Sequence, residues 1–269
     1  KINVHLYQVN KIKNLSSSRT IGMSKKNLEF FKKEIQNTTK QIFWKINKID
    51  IFSEKLKKEN LLKFETEGND LFYIVKNDDL YELLNYEIYK NKYFKKKIIK
   101  NDFFYKELLK KNNYDLIINC DSNNPLSKKY FTKKINKVYN STAYTTIIKH
   151  KNILNNAATQ IFTKLGPIAY LPTSNTETSI VCSLDTKYKK YNDNEVLEII
   201  KQYNPKYQIK GIDKLSNFKL SASNLRNYHH KNILAFGDLL HRIHPLAGQG
   251  FNMTIRDIKV LSEIIQKKN

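Results

Sequence analysis

Residues 237–252 constrain the fold more than any other stretch, because they join a short strand pattern to a long amphipathic helix pattern. The apolar run 233–236 predicts a buried strand, and apolar residues at helical spacing over 253–265 predict an amphipathic helix. Asp238 directly follows the strand, and a Gly-Gln-Gly turn at 248–250 opens the helix. A carboxylate accepts hydrogen bonds from hydroxyl groups, and the amino end of a helix stabilises negative charge. The stretch therefore predicts a ligand that carries both hydroxyl and anionic groups.

The same stretch resembles the second flavin-binding motif of the FAD-dependent aromatic hydroxylases, and its wording from His244 to Gly250 is similar to that of the ubiquinone-biosynthesis hydroxylases in this family. In the family, the Asp contacts the ribityl chain of FAD and the glycine turn lies along the isoalloxazine ring. Leu239 and Leu240 depart from the small Ala-Ala pair of the family. The cofactor-binding residues implied by the resemblance are Arg19, Asp238, Pro245, Ala247, Gly248, Gln249, Gly250, Phe251 and Asn252.

Three further segments resemble the same family, in the same order along the chain. Segment 19–24 is similar to the family's Arg-x-Ile-Ala-Leu-Ser, in which the Arg reaches the cofactor region. Segment 160–172 resembles the substrate-domain signature, which makes its Tyr170 a candidate for either the pocket or the core. Segment 114–121 resembles the strand that leads into the family's Asp-Gly motif, and Ser122 replaces that Gly. The resemblance thus extends over nearly the whole chain.

The start of the sequence departs from the family. The strand pattern over 2–8 is similar to the second strand of the nucleotide-binding unit, but Gln8 stands where the family carries an acidic residue. No Gly-x-Gly-x-x-Gly turn, which cradles a pyrophosphate at a helix amino end, occurs in the sequence. We therefore expect the first βα unit to be missing and the 269 residues alone to hold FAD weakly. A truncated, non-catalytic scaffold of the same family is the alternative interpretation.

The predicted fold class is α/β, with a discontinuous, Rossmann-like FAD-binding domain and an inserted mixed or antiparallel β-sheet substrate domain. Ser24 is a predicted helix N-cap. Successive strands are predicted over 143–150, 157–162, 168–171 and 178–184, followed by a helix over 195–202. The predicted FAD-binding domain comprises 1–47, 76–135 and 221–269, and the predicted substrate domain comprises 48–75 and 136–220.

The sequence is strongly basic, with 48 Lys and Arg against 25 Asp and Glu and a formal net charge of +23. This balance is typical of nucleic-acid-binding proteins, which remain an alternative class. However, the basic residues are nearly all Lys and are spread along the chain, so we expect no nucleic-acid partner. We expect the Lys runs to form solvated faces of the protein. Their attraction to anionic lipid, at about 1 kcal/mol per residue near the surface, is the functional alternative.

The cysteines and histidines do not indicate a metal site. Cys120 and Cys182 lie in apolar strand-like runs, which predicts buried, reduced thiols. The spacing of His241 and His244 suits a metal on a helix, but Pro245 opposes a helix there. His150 is predicted to have a structural role.

The resemblance implies an FAD-dependent monooxygenase that uses NAD(P)H as co-substrate and dioxygen to hydroxylate a polyprenylated phenol in ubiquinone biosynthesis. Because the cofactor supplies the reactive chemistry, no catalytic side chain is predicted. The implied partners are a prenylated phenol or quinone precursor, a quinone-biosynthesis complex and a membrane surface. The implied location is cytoplasmic and peripheral on the inner membrane. A flavin hydroxylase of another aromatic substrate remains an alternative.

Overall fold

The computed structural model describes residues 2–9, 19–35, 42–54, 60–66, 70–99, 101–111, 113–243 and 249–267. The helices are α1 (Lys25–Glu34), α2 (Asn77–Tyr89), α3 (Phe103–Lys111), α4 (Pro125–Tyr130), α5 (Asp193–Gln202) and α6 (Gln249–Lys267). The strands are β1 (Val4–Val9), β2 (Thr20–Ser24), β3 (Trp44–Ile46), β4 (Lys48–Ser53), β5 (Asn60–Glu65), β6 (Phe72–Lys76), β7 (Phe94–Ile99), β8 (Ile117–Asn119), β9 (Lys134–His150), β10 (Ala157–Thr163), β11 (Gly166–Pro172), β12 (Glu177–Asp185), β13 (Ile209–Ile212), β14 (Ser216–Leu225), β15 (His229–His230), β16 (Ile233–Ala235) and β17 (His241–Arg242).

The chain divides into two compact units. The first comprises Lys1–Leu15, Leu83–Val138 and Ser221–Asn269, and the second comprises Ser16–Glu82 and Tyr139–Leu220. Residues 16–47 and 76–82 thus group with the second unit, whereas the sequence assigned them to the first. The reason is strand pairing, because β2 and β3 both pair antiparallel with β6 of the second unit. The cofactor and substrate roles of the two units stay predictions.

The first unit contains short parallel strand pairs. β1 pairs parallel with β7, and β8 pairs parallel with β16, whose other edge pairs with β15. In the same unit, the end of β14 pairs with β17. The buried side chains that pack together here are Ile99, Tyr105, Leu126, Phe131, Leu225, Ile233, Ala235 and Leu239. This apolar cluster holds β8 and β16 in place, and the candidate site lies at the carboxyl ends of these two strands.

The second unit is built on a large mixed sheet, as predicted. The strand order is β14-β9-β12-β11-β10-β4-β5, and β13 also pairs with β9. β12 pairs antiparallel with both β9 and β11, and β11 pairs antiparallel with β10. β4 lies parallel to β10. Helix α5 packs its apolar residues against buried side chains of this sheet, and Asn192 and Glu195 form a capping box at its start. The predicted α/β fold class is confirmed.

A second, smaller sheet and helix α1 complete the second unit. The sheet has the order β2-β6-β3, and Ser24 accepts a hydrogen bond from the backbone N–H of Asn27 as the predicted N-cap of α1. The sequence missed strand β7 and helix α3, both of which lie in Lys-rich stretches. None of the described helices combines the length and the hydropathy that crossing a membrane requires.

A buried polar chain ties the end of β9 to β12 in the second unit. Tyr207 donates to Asn155 Oδ1 at 3.1 Å, and Asn155 Nδ2 donates to Thr178 Oγ1 at 2.9 Å. His150 Nε2 lies 3.0 Å from Thr178 Oγ1, while its Nδ1 lies 2.8 Å from the carbonyl of Lys151. A neutral His150 that carries its proton on Nδ1 satisfies every one of these groups. Burial raises the pKa of Tyr207 to about 12, so its phenol remains a donor at neutral pH.

Replacement of Tyr207 by Phe is expected to destabilise the protein by about 1–3 kcal/mol, because it leaves the buried Oδ1 of Asn155 without its donor. Urea unfolding of the variant measures this loss. Tyr188→Phe is the matched control, since Tyr188 is 87% exposed. Equal unfolding free energies for the two variants would contradict the role of the buried chain.

Candidate functional site

The carboxyl ends of two parallel strands lie side by side in the first unit. Ala235 of β16 is opposite Asn119 of β8, and the N–H of Phe236 donates to the carbonyl of Asn119 at 2.9 Å. Three residues beyond the end of β16, Asp238 sits in a single 3-10 turn with an exposed side chain. In open parallel sheets, ligands bind outside the carboxyl ends of the strands. The structure therefore confirms that a buried strand presents Asp238 at such an edge.

The loop after β8 is held by a buried amide network. Asn119 donates to Ser127 Oγ at 2.9 Å and accepts from Asn124 Nδ2 at 2.7 Å. Ser127 in turn donates to the carbonyl of Asp121, and Asn124 caps α4 by accepting from the N–H of Ser127. The network fixes the backbone beside Asp238. Sequence reasoning missed it, although Asn124 followed by Pro125 is a signal for a helix start.

The ionisable groups at this edge are acidic. Partial desolvation and then the negative charge of Asp238 raise the pKa of the Cys120 thiol, which keeps it protonated at neutral pH. Cys120 is exposed, contrary to the prediction of two buried thiols, because it lies just past the end of β8. Asp121 is also exposed, and its side chain accepts from the N–H of Asn123 at 2.8 Å. Asp121 thus shapes the loop.

Helix α6 begins at the predicted turn. Gln249 is exposed, Gly250 and Phe251 are half-buried, and Asn252 is buried. Among the described residues, a Cβ on Gly250 would meet only Ile243 Cγ1, at 3.7 Å, so the packing of these residues does not demand a glycine there. The predicted site residues Pro245, Ala247 and Gly248 lie outside the described residues, as does His244. His241 lies in β17 and not on a helix, which removes the helical spacing considered for a metal.

Arg19 belongs to the second unit, whereas the other described site residues belong to the first. Its guanidinium lies 4.6 Å above the centre of the Phe218 ring, and its carbonyl accepts from the N–H of Asn77. The side chain is exposed. The attraction between a cation and an aromatic face holds the guanidinium at this place in the second unit.

Tyr170, the other candidate, is part of the core. Its side chain is fully buried, and its hydroxyl donates to the carbonyl of Ile200 at 2.7 Å. Its ring stacks on that of Tyr207. The pocket interpretation of Tyr170 is therefore wrong, because helix α5 covers this face of the sheet.

Comparisons with known proteins agree on one family. A family model described as an FAD binding domain matches residues 128–267. The chain is 28% identical over 202 residues to ubiquinone biosynthesis monooxygenase COQ6, mitochondrial, of Dictyostelium discoideum, an alignment that covers 56% of this chain and 41% of that protein. It is 24% identical over 142 residues to ubiquinone hydroxylase UbiL of Rhodospirillum rubrum, which covers 46% of this chain and 30% of that protein. The chain thus spans about two fifths or less of the length of these curated relatives.

Solved structures show the same fold at low sequence identity. p-Nitrophenol 4-monooxygenase PnpA from Pseudomonas putida superposes with a TM-score of 0.74 at 11% identity, over 99% of this chain and 75% of that chain. A 2-methyl-3-hydroxypyridine-5-carboxylic acid oxygenase superposes with a TM-score of 0.67 at 11% identity, over 94% of this chain and 72% of that chain. The resemblance inferred from the sequence motifs is therefore confirmed.

Proposed function

The chain belongs to the FAD binding domain family, and from this membership we propose that it forms part of an FAD-dependent monooxygenase that hydroxylates the ring of a polyprenylated phenol. The observation that carries the proposal lies inside the matched region. An exposed carboxylate, Asp238, stands at the carboxyl end of a buried parallel strand, and helix α6 begins at Gln249.

The residues present fit FAD. Asp238 is accessible and accepts hydrogen bonds, as the hydroxyl groups of a ribityl chain require. Helix α6 begins at Gln249, and the amino end of a helix carries the positive end of its dipole, which stabilises negative charge. Packing against the described residues does not require the glycine at 250, and a glycine permits the close approach of a flat ligand.

The protein's contribution is to bind and orient, because reduced FAD supplies the reaction with dioxygen that places an oxygen atom on an aromatic ring. Asp238 would orient bound FAD by accepting hydrogen bonds from the hydroxyl groups of its ribityl chain. The start of α6 stabilises negative charge beside it. Arg19, held over Phe218 in the second unit, is proposed as a residue that binds an anionic group. We propose NAD(P)H as the reductant.

The proposed substrate is a polyprenylated phenol of the ubiquinone pathway. Two observations support this choice: the His-Pro-Leu-Ala-Gly-Gln-Gly wording at 244–250, and relatives whose names place them in ubiquinone biosynthesis or hydroxylation. The formal net charge of +23 supports peripheral contact with anionic lipid, where such a substrate resides. Participation in a quinone-biosynthesis complex is part of the same proposal.

Deletion of the gene is expected to cause accumulation of a prenylated phenol that lacks one hydroxyl group, since the proposed step adds a single oxygen atom. Mass spectrometry of lipid extracts measures this intermediate. Expression of the unaltered gene in the deletion strain should restore the quinone. Unchanged quinone content in a strain without another such hydroxylase would reject the substrate and leave the FAD site standing.

A further inference from the structure

The histidine of the 237–252 stretch lies against an acidic residue of the following helix. His241 Nε2 is 3.4 Å from Asp257 Oδ2, and both residues belong to the first unit. His241 lies in β17, whereas Asp257 lies two turns into α6. The contact therefore joins β17 to α6.

Both atoms of this contact are buried. Neither His241 Nε2 nor Asp257 Oδ2 is exposed to solvent, and neither has a hydrogen bond to a described group at this separation. Buried polar atoms are nearly always paired in folded proteins, because an unpaired one loses its interaction with water without replacement. His241 Nε2 and Asp257 Oδ2, 3.4 Å apart, can therefore pair with each other. A shift of a few tenths of an ångström would bring them within ordinary hydrogen-bond distance.

The contact joins the two elements that pack against the turn carrying Asp238, so it affects where α6 lies relative to Asp238. The 3-10 turn that carries Asp238 contacts both β17 and α6. Arg256, next to Asp257, donates through Nε to the carbonyl of Asn252 at 3.4 Å. The first two turns of α6 are thus tied to β17 by one side chain and braced internally by another.

We propose that His241 and Asp257 are positioning residues that hold the first turn of α6, Gln249 to Asn252, at a fixed place relative to Asp238. This inference rests on the proposed FAD function. The His241–Asp257 contact, called the clasp below, acts by tying β17 to the first turn of α6 and needs no direct contact of either side chain with the cofactor.

Asp257→Leu and His241→Leu in the full-length protein test the clasp. Each is expected to weaken FAD binding about 10- to 100-fold, the loss typical of a charge-assisted hydrogen bond. Fluorescence titration with FAD measures the affinity. If the two residues act only through each other, the double variant binds FAD no more weakly than the single ones. Asp257→Asn retains an acceptor oxygen and should keep the affinity within about threefold.

Two control variants replace an acidic residue and a histidine that lie outside the clasp by Leu. Glu263→Leu removes an exposed carboxylate from the same helix, and His229→Leu removes an exposed imidazole from the same unit. Both should bind FAD like the unaltered protein. The clasp is contradicted if Asp257→Leu binds as tightly as Glu263→Leu, or if the losses of the two single variants add in the double variant.

A second readout does not depend on FAD. Backbone N–H groups of residues 253–256 bond to carbonyls of residues 249–252 in an α-helix, so their hydrogen exchange reports opening of the first turn. Asp257→Leu should accelerate exchange there and not near the end of α6. Unchanged exchange contradicts the clasp, whereas a failure of the unaltered protein to bind FAD contradicts the proposed function alone.

Discussion

Replacement of Asp238 by Ala is expected to release FAD from the full-length protein while the fold remains intact. The carboxylate is exposed at the end of β16, so its removal opens no cavity in the core. Each hydrogen bond to a charged group contributes about 1.5–3 kcal/mol, and the loss of two such bonds to ribityl hydroxyls weakens binding by at least about 100-fold. Flavin absorbance of the purified variant measures the loss.

Asp115→Ala is the matched control for Asp238→Ala. Asp115 is an exposed aspartate of the same unit, but it precedes β8 and so lies at the amino end of the strand. The control should retain equimolar flavin. Equal flavin content in both variants would remove Asp238 from the cofactor site.

Replacement of Gly166 by Ala is expected to cost about 3–5 kcal/mol of folding stability. Gly166 has φ +133°, a conformation that residues with a side chain rarely adopt, and an added Cβ would lie 2.0 Å from the carbonyl oxygen of Ser183. Backbone strain of this kind and overpacking each contribute destabilisation of kcal/mol size. Denaturant unfolding measures the change in the free energy of unfolding.

Gly211→Ala provides the comparison for Gly166→Ala. Gly211 is in the same unit, and an added Cβ there would have no neighbour among the described residues within 4 Å. The control is expected to change stability by less than about 1 kcal/mol. A Gly166→Ala variant as stable as the control would show that β11 begins in a different conformation.

Local patterns predicted the parts of the site that depend on neighbours in sequence. The apolar run before Asp238 and the helical spacing after Gly250 located β16 and α6, because burial of one face imposes a period on the sequence. The strands β10 to β12 were predicted to within a few residues for the same reason. Ser24 was recognised as an N-cap from its residue type alone.

Contacts between distant residues were not predictable from one sequence. The Asn119 network depends on where α4 folds back onto β8, and the contact of His241 with Asp257 depends on the path of the chain between them. The prediction for Cys120 was wrong because this residue lies just past the end of β8, and the choice between pocket and core for Tyr170 depended on where α5 packs. The grouping of residues 16–47 depended on the pairing of β2 with β6, which local periodicity does not encode.

Titration of the purified full-length protein with FAD tests the central claim most directly, because the family, the strand end at Asp238 and the start of α6 all indicate that ligand. Quenching of flavin fluorescence measures the binding. Saturation at one FAD per chain, weakened in Asp238→Ala and unchanged in Asp115→Ala, is the expected result. The absence of saturable FAD binding by the folded protein would contradict the account.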